Sequence, residues 1–266
     1  MSSLPRARKR FGQHFLEPAW VDKLIESLEA SPRDTFLEIG PGRGALTIPL
    51  AKRVKRLVAV EIDRDLAVGL PARLPMHCRI VQGDFLEVDV AALLAREERP
   101  VRVVGNLPYN ASSPILFSLL RAAAHGQTFR DATLMLQKEV ADRLVALPGG
   151  KQYGVLAVQV ALLADVERIL TLPPGAFRPA PKVTSAVVRL RFRPPSADAG
   201  EPAVFERLVR GVFLHRRKTL RNALEPVAAA MGRSAPELIA RSGLDERRRP
   251  ETLSVEEFAS LSRAML

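Results

Sequence analysis

Between about Val21 and about Arg193, short apolar runs of strand length alternate with amphipathic stretches of helical period, and few architectures accept that alternation. A run of aliphatic and β-branched residues without polar alternation has to be covered on both faces, and a helix after each strand supplies the cover. The expected fold class is therefore α/β: a doubly wound, mostly parallel sheet with helices on both sides. Seven strands are expected, at residues 35–39, 57–60, 78–81, 101–104, 132–136, 166–170 and 184–192. Between them, residues 45–53, 65–70, 113–123, 138–146 and 153–163 read as helices or helical turns.

Apolar periodicity stops at Arg193-Pro194-Pro195-Ser196 and no strand signal returns. The expected organisation is a basic N-terminal arm over residues 1–20, the α/β domain over 21–193, a linker over 194–202 and a small all-helical domain over 203–266. Helical periodicity in that last part covers 204–214, 218–231, 236–242 and 255–266, with Ser234 and Ser254 as N-caps.

Lys and Arg number 40 against 29 Asp and Glu, a formal net charge of +11, which favours a polyanionic partner. The cations gather at both ends: Arg6, Arg8, Lys9 and Arg10 in the arm, and Arg207, Arg210, Arg216, Arg217, Lys218 and Arg221 near the C-terminus. Nucleic acid is the leading partner, and a solvated basic surface is the competing explanation. The single cysteine, Cys78, excludes a disulfide within the chain and disfavours a cysteine-built metal site, so no metal is expected. With no signal-peptide core and no apolar stretch of bilayer length, the chain reads as cytoplasmic, with no membrane partner.

Glu38-Ile39-Gly40-Pro41-Gly42-Arg43-Gly44 directly follows the first expected strand and opens a helix. Glycines there let a ligand approach the backbone, and read with Ala45 the run also satisfies the dinucleotide pattern G-x-G-x-x-A. By itself the loop does not separate a nicotinamide cofactor from S-adenosylmethionine. Glu61 ends the second strand, seventeen positions after Gly44, near the spacing at which an acid captures ribose hydroxyls. Asp84 ends the third, where its carboxylate suits an adenine amine while Phe85 packs on the ring; a strand-end Asp is equally a helix cap. All of these lie at the carboxyl ends of strands, where open α/β sheets bind ligands.

The fourth strand runs into Asn106-Leu107-Pro108-Tyr109-Asn110. An amide, a main-chain carbonyl and a phenol ring at a strand end can hold the exocyclic amine of a flat base while the ring stacks on it, as N-methylation of adenine requires. A plain strand-end turn, with Pro108 setting φ and Tyr109 packing on the core, explains the same residues about as well.

Taken together, these segments resemble the ribosomal RNA adenine dimethyltransferases over nearly the whole chain. The resemblance extends to Gly12-Gln13-His14-Phe15-Leu16, Glu61-Ile62-Asp63, Gly83-Asp84-Phe85, Leu136-Gln137-Lys138-Glu139, Tyr153-Gly154, Phe177-Arg178-Pro179-Ala180-Pro181-Lys182-Val183, Ser185-Ala186-Val187-Val188-Arg189-Leu190 and Arg216-Arg217-Lys218-Thr219-Leu220-Arg221-Asn222. It implies a Rossmann-like methyltransferase fold with S-adenosylmethionine held by His14, Leu16, Gly40, Gly42, Glu61, Asp84, Phe85 and Asn106. The target adenine would lie against Asn106, Leu107, Pro108, Tyr109 and Phe177, and Arg216, Arg217, Lys218 and Arg221 would grip RNA. His14 stands where the family usually has Asn. The implied reaction is dimethylation of two adjacent adenosines near the 3′ end of 16S rRNA in the small ribosomal subunit or its precursor, by a monomer, with a role in ribosome biogenesis. A large-subunit rRNA dimethyltransferase of the macrolide-resistance type is one alternative, and the segment from Arg216 onward argues against it. A non-catalytic rRNA-binding assembly factor is another. A nicotinamide dehydrogenase is the weakest reading, because no proton relay stands at the mouth of the fourth strand.

Overall fold

A computed structural model describes residues 14–126 and 128–266; the basic cluster Arg6, Arg8, Lys9 and Arg10, and Gly12-Gln13, lie outside the described residues. In chain order the strands are β1 (Phe15–Leu16), β2 (Thr35–Ile39), β3 (Arg56–Glu61), β4 (Cys78–Gln82), β5 (Val101–Asn106), β6 (Phe129–Gln137), β7 (Ala164–Leu172), β8 (Phe177–Arg178) and β9 (Ser185–Phe192). The helices are α1 (Pro18–Ser27), α2 (Thr47–Ala51), α3 (Arg64–Gly69), α4 (Val90–Leu93), α5 (Ser112–Ala124), α6 (Lys138–Leu144), α7 (Val155–Leu163), α8 (Pro202–Phe213), α9 (Leu220–Ala229), α10 (Ala235–Ser242) and α11 (Val255–Ala264). They form two compact units. The first holds the described residues up to Ala141 together with Val166–Phe192, and the second holds Asp142–Asp165 with Arg193–Leu266.

All seven expected strands form and make one sheet in the order β4-β3-β2-β5-β6-β9-β7. β4, β3, β2, β5 and β6 run parallel, and β9 lies antiparallel to β6. β2 is buried along its whole length and β5 along all but its last residue, so both strands are covered on both faces. One core cluster joins Val21, Leu24 and Ile25 of α1 to Phe36, Leu50, Leu57, Val104 and Met135. Each such side chain contributes about 1.5–3 kcal/mol when fully buried. From β2 the chain passes to β3 on one side, and β5 takes the other side, so the topological switch point falls between β2 and β5. Gly105 makes that closeness possible: a Cβ there would stand 2.9 Å from the Ile39 carbonyl oxygen.

Three sequence expectations change. The helix expected over 45–53 shortens to the five residues of α2, because the chain turns through Gly42 and Gly44, both at positive φ, before it can wind. Residues 14–20, expected as part of the N-terminal arm, are built into the first unit: β1 pairs antiparallel with β8, the first turn of α1 follows at once, and Leu16 and Val21 enter the core. Ser234 occupies the N-cap position of α10 without a side-chain cap bond, whereas Ser254 makes a full capping box with Glu257 on α11.

The domain boundaries also move. Residues 142–165, expected within the α/β domain, cluster with the C-terminal helices. α7 is apolar around its whole circumference, so it needs cover on every side, and it packs against α8 and α11. The Tyr153 hydroxyl donates to the Leu253 carbonyl at 2.8 Å, and the Tyr153, Phe213 and Phe258 rings form a chain of edge and tilted contacts. The segment expected as a linker belongs to the same unit: the Ser196 N–H donates to the Leu162 carbonyl, and the buried Ser262 hydroxyl donates to the Ala199 carbonyl at 2.7 Å. Among the described residues, no helix is long and apolar enough to cross a membrane, and no group of three or more His, Cys, Asp and Glu side chains is placed to hold a metal.

Candidate active site

The parallel strands β4, β3, β2 and β5 deliver Asp84, Glu61, Gly40 and Asn106 to one end of the sheet in the first unit. Two clefts open there. One is lined by His14, Leu16, Glu38, Gly40, Gly42, Glu61 and Asn106 through Tyr109, among others. The other is lined by Gly40, Ile62, Asp84, Phe85, Pro108 and Asn110 among others, so Gly40 and Pro108 border both.

Gly40 and Gly42 both adopt positive φ, and a Cβ on Gly42 would press the Phe15 ring at 3.3 Å. Phe15 also lies under the Arg43 guanidinium at 4.1 Å, so β1 is laid across the glycine turn. Glu61 holds that turn: its carboxylate accepts from the Gly42 N–H at 2.8 Å and from the Asp63 N–H at 2.9 Å. One bond to each oxygen leaves each with a further lone pair for a ligand hydroxyl. Burial pushes the Glu61 carboxyl up, and those two backbone donors pull it back toward the charged form. Asp84 accepts from the Leu86 N–H at 2.9 Å through one oxygen, so it does serve as a turn cap while also lining the second cleft.

Glu38 is the residue that reading the sequence passed over as a site in its own right. It belongs to β2, is 1% exposed, lines the first cleft, and its Oε2 has no hydrogen-bond partner among the described residues. Burial pushes its carboxyl up to about 8, and the nearby Glu61 adds to the rise. The available signal was a carboxylate inside an otherwise apolar strand, a placement that is costly unless something answers the charge.

At the end of β5 the Asn106 Nδ2 donates to the His14 main-chain carbonyl at 2.8 Å. A carbonyl only accepts, so this bond fixes the amide orientation and leaves Oδ1 as the acceptor. The His14 ring stacks on Tyr109, with centroids 5.4 Å apart and planes 25° from parallel, and its Nδ1 bonds the Pro179 carbonyl at 2.7 Å. Leu107 is buried, its N–H bound to the Met135 carbonyl; the Pro108 carbonyl accepts from the Ala111 N–H. Burial pushes the Tyr109 phenol up.

Phe177 does not join this group. Its backbone pairs with Leu16 in the β1·β8 ladder, and its side chain, 1% exposed, packs in the core cluster beside Leu172 and Ala176. It lines neither cleft. In the second unit, Arg216 is tied to the Glu251 carboxylate at 2.8 Å and to the Lys151 carbonyl at 3.2 Å, and Arg221 stands 3.6 Å from Glu246. Arg217 and Lys218 are exposed.

Comparison with known proteins places these features in context. Residues 5–265 match the family model described as ribosomal RNA adenine dimethylase. Proteins named ribosomal RNA small subunit methyltransferase A are 45% identical over 265 residues in Acinetobacter baylyi, covering 98% of this chain and 93% of the relative, and 47% identical over 270 residues in Geobacter metallireducens, covering 98% and 96%. Among solved structures, a dimethyladenosine transferase from Plasmodium falciparum superposes with a TM-score of 0.75 at 24% identity over 93% of this chain and 96% of that one, a likeness of fold. The 23S rRNA methyltransferase ErmE gives 0.61 at 25% identity over 94% and 99%.

Proposed function

The chain belongs to the ribosomal RNA adenine dimethylase family, and from that premise we propose that it methylates the exocyclic amines of two adjacent adenosines near the 3′ end of 16S rRNA, in the small ribosomal subunit or its precursor. Relatives sharing 45–47% identity bear the small-subunit name, whereas the 23S rRNA enzyme shares 25%, which favours the small-subunit substrate. The reading also has the enzyme acting as a cytoplasmic monomer.

The residues at the clefts fit S-adenosylmethionine. Its sulfonium and α-ammonium are cations, and Glu38 Oε2 is a buried acceptor on the cleft wall that has no partner among the described residues. Glu61 would accept the ribose hydroxyls and Asp84 the adenine amine of the cofactor, with His14, Leu16, Gly40, Gly42, Phe85 and Asn106 lining the remainder. When bound, the cofactor supplies an electrophilic methyl group on positively charged sulfur.

The observation that carries the chemistry is the fixed amide of Asn106. An adenine amine is a poor nucleophile because its lone pair is delocalised into the ring. With the Asn106 Oδ1 accepting one amine proton and a main-chain carbonyl of the Leu107-Pro108 turn the other, the lone pair is localised and aimed. Orientation and preorganised acceptors then supply most of the rate, with no strong base needed. Tyr109 stacks on the target base and offers its ring face to positive charge, a contact of about 1 kcal/mol. In the second unit, Arg217 and Lys218 take rRNA phosphates, and Arg216 and Arg221 add less because Glu251 and Glu246 already share their charge. The test is labelled methyl transfer to small subunits that lack these modifications, with the product nucleotides mapped. Label in two adjacent adenosines near the 3′ end supports the proposal, and label in large-subunit rRNA or none at all overturns it.

A further inference from the structure

Ser185 opens β9, opposite Gln137 of β6, and its side chain is fully buried. Its Oγ shares a 2.7 Å hydrogen bond with the Tyr109 Oη, across 76 positions of sequence. A buried serine hydroxyl on a strand commonly satisfies itself on nearby backbone, but this one reaches the catalytic turn. Tyr109 is thereby held at two points: Ser185 takes the hydroxyl at the tip and the His14 imidazole packs on the ring. The main chain of the same His14 fixes Asn106. A phenol ring turns about two torsions: packing on its face, here by His14, restrains rotation about Cβ–Cγ, and because Oη lies on that axis the hydroxyl bond instead fixes where the tip of the ring points.

We infer that Ser185 is a positioning residue for methyl transfer, acting through the Tyr109 hydroxyl to anchor the tip of the ring and so hold in place the face on which the target adenine stacks. The inference rests on the role proposed for Tyr109. It also gives the hydroxyl of that residue a purpose, since stacking alone would be served equally by phenylalanine. Loss of the bond should leave the base bound but misaligned, which lowers turnover rather than affinity; a displacement of about 1 Å can cost on the order of a hundredfold in rate.

The test is a double-mutant cycle on the full chain with small subunits as substrate, read as single-turnover rate and KM. Ser185→Ala should slow transfer about tenfold or more with KM changed less than about threefold, and Ser185→Thr, which keeps the hydroxyl, should recover most of the rate. In a Tyr109→Phe background, Ser185→Ala should cost nothing further. Equal losses in both backgrounds, or no loss in either, would overturn the inference. A second readout needs no activity. The chain has only two tyrosines, so ring-labelled tyrosine gives two resolvable sets of NMR signals, and Ser185→Ala should move and broaden those of Tyr109 while leaving Tyr153 unchanged. Unmoved Tyr109 signals overturn the positioning role, whereas a wild-type chain that transfers no methyl to rRNA overturns the reading of the reaction instead.

Discussion

Replacing Glu38 by Gln should stabilise the protein, by an amount that grows with pH. In the folded chain the carboxyl is fully buried and pushed up from 4.5 to about 8, chiefly by loss of solvation. Above pH 4.5 the unfolded chain has released this proton and the folded chain keeps it until pH about 8, so each pH unit in that window favours unfolding by about 1.4 kcal/mol. The stability is complete below 4.5 and lost as pH rises through about 8, a total of roughly 5 kcal/mol. Gln cannot ionise and escapes the loss. At roughly 2–4 °C per kcal/mol for a chain of this size, the variant should melt within a few degrees of wild type at pH 5 and roughly 10 °C or more above it at pH 8. Calorimetric Tm values for both proteins at pH 5, 6, 7 and 8, at constant ionic strength, give the comparison. S-adenosylmethionine, a cation beside this carboxyl in the proposed complex, should narrow the gap at pH 8 by favouring the ionised form. A Tm difference that does not vary with pH would refute the reasoning, because it would mean that Glu38 titrates alike folded and unfolded.

Asn106→Ala should depress single-turnover methyl transfer far more than cofactor affinity, since its Oδ1 acts on the target amine; equal losses in calorimetry and kinetics would place it among ordinary binding residues. Asp84→Ala should weaken S-adenosylmethionine binding by about 1.5–3 kcal/mol and leave RNA affinity alone, and an unchanged dissociation constant would reduce Asp84 to the turn cap seen with Leu86. Replacing Arg217 and Lys218 by Ala should lower the slope of log subunit affinity against log salt by roughly 0.7–0.9 for each phosphate that is no longer neutralised. Arg216→Ala should instead lower Tm, since it frees Glu251 and the Lys151 carbonyl; a salt slope that responds to Arg216 more than to Arg217 would reverse the assignment.

The sequence by itself determined the seven strands, the glycine turn after β2 and the placing of Glu61, Asp84 and Asn106 at strand ends, because these follow from local periodicity and from residues that can adopt a left-handed turn. It also marked Asn106 to Tyr109 as special, since that group breaks the apolar run where a parallel strand must end. Periodicity states that a face is buried and not against what. So α7 was legible as a helix, while only packing against α8 and α11 assigned it to the second unit, and Phe177 was expected against the target adenine, while the β1·β8 pairing turned it into the core. The fixed amide of Asn106 depends on a backbone carbonyl 92 positions away, and the anchored tip of the Tyr109 ring on a hydroxyl 76 positions away. Such bonds leave no pattern in neighbouring residues, because their geometry comes from the order in which strands pair, and that order exists only once the sheet has closed around them.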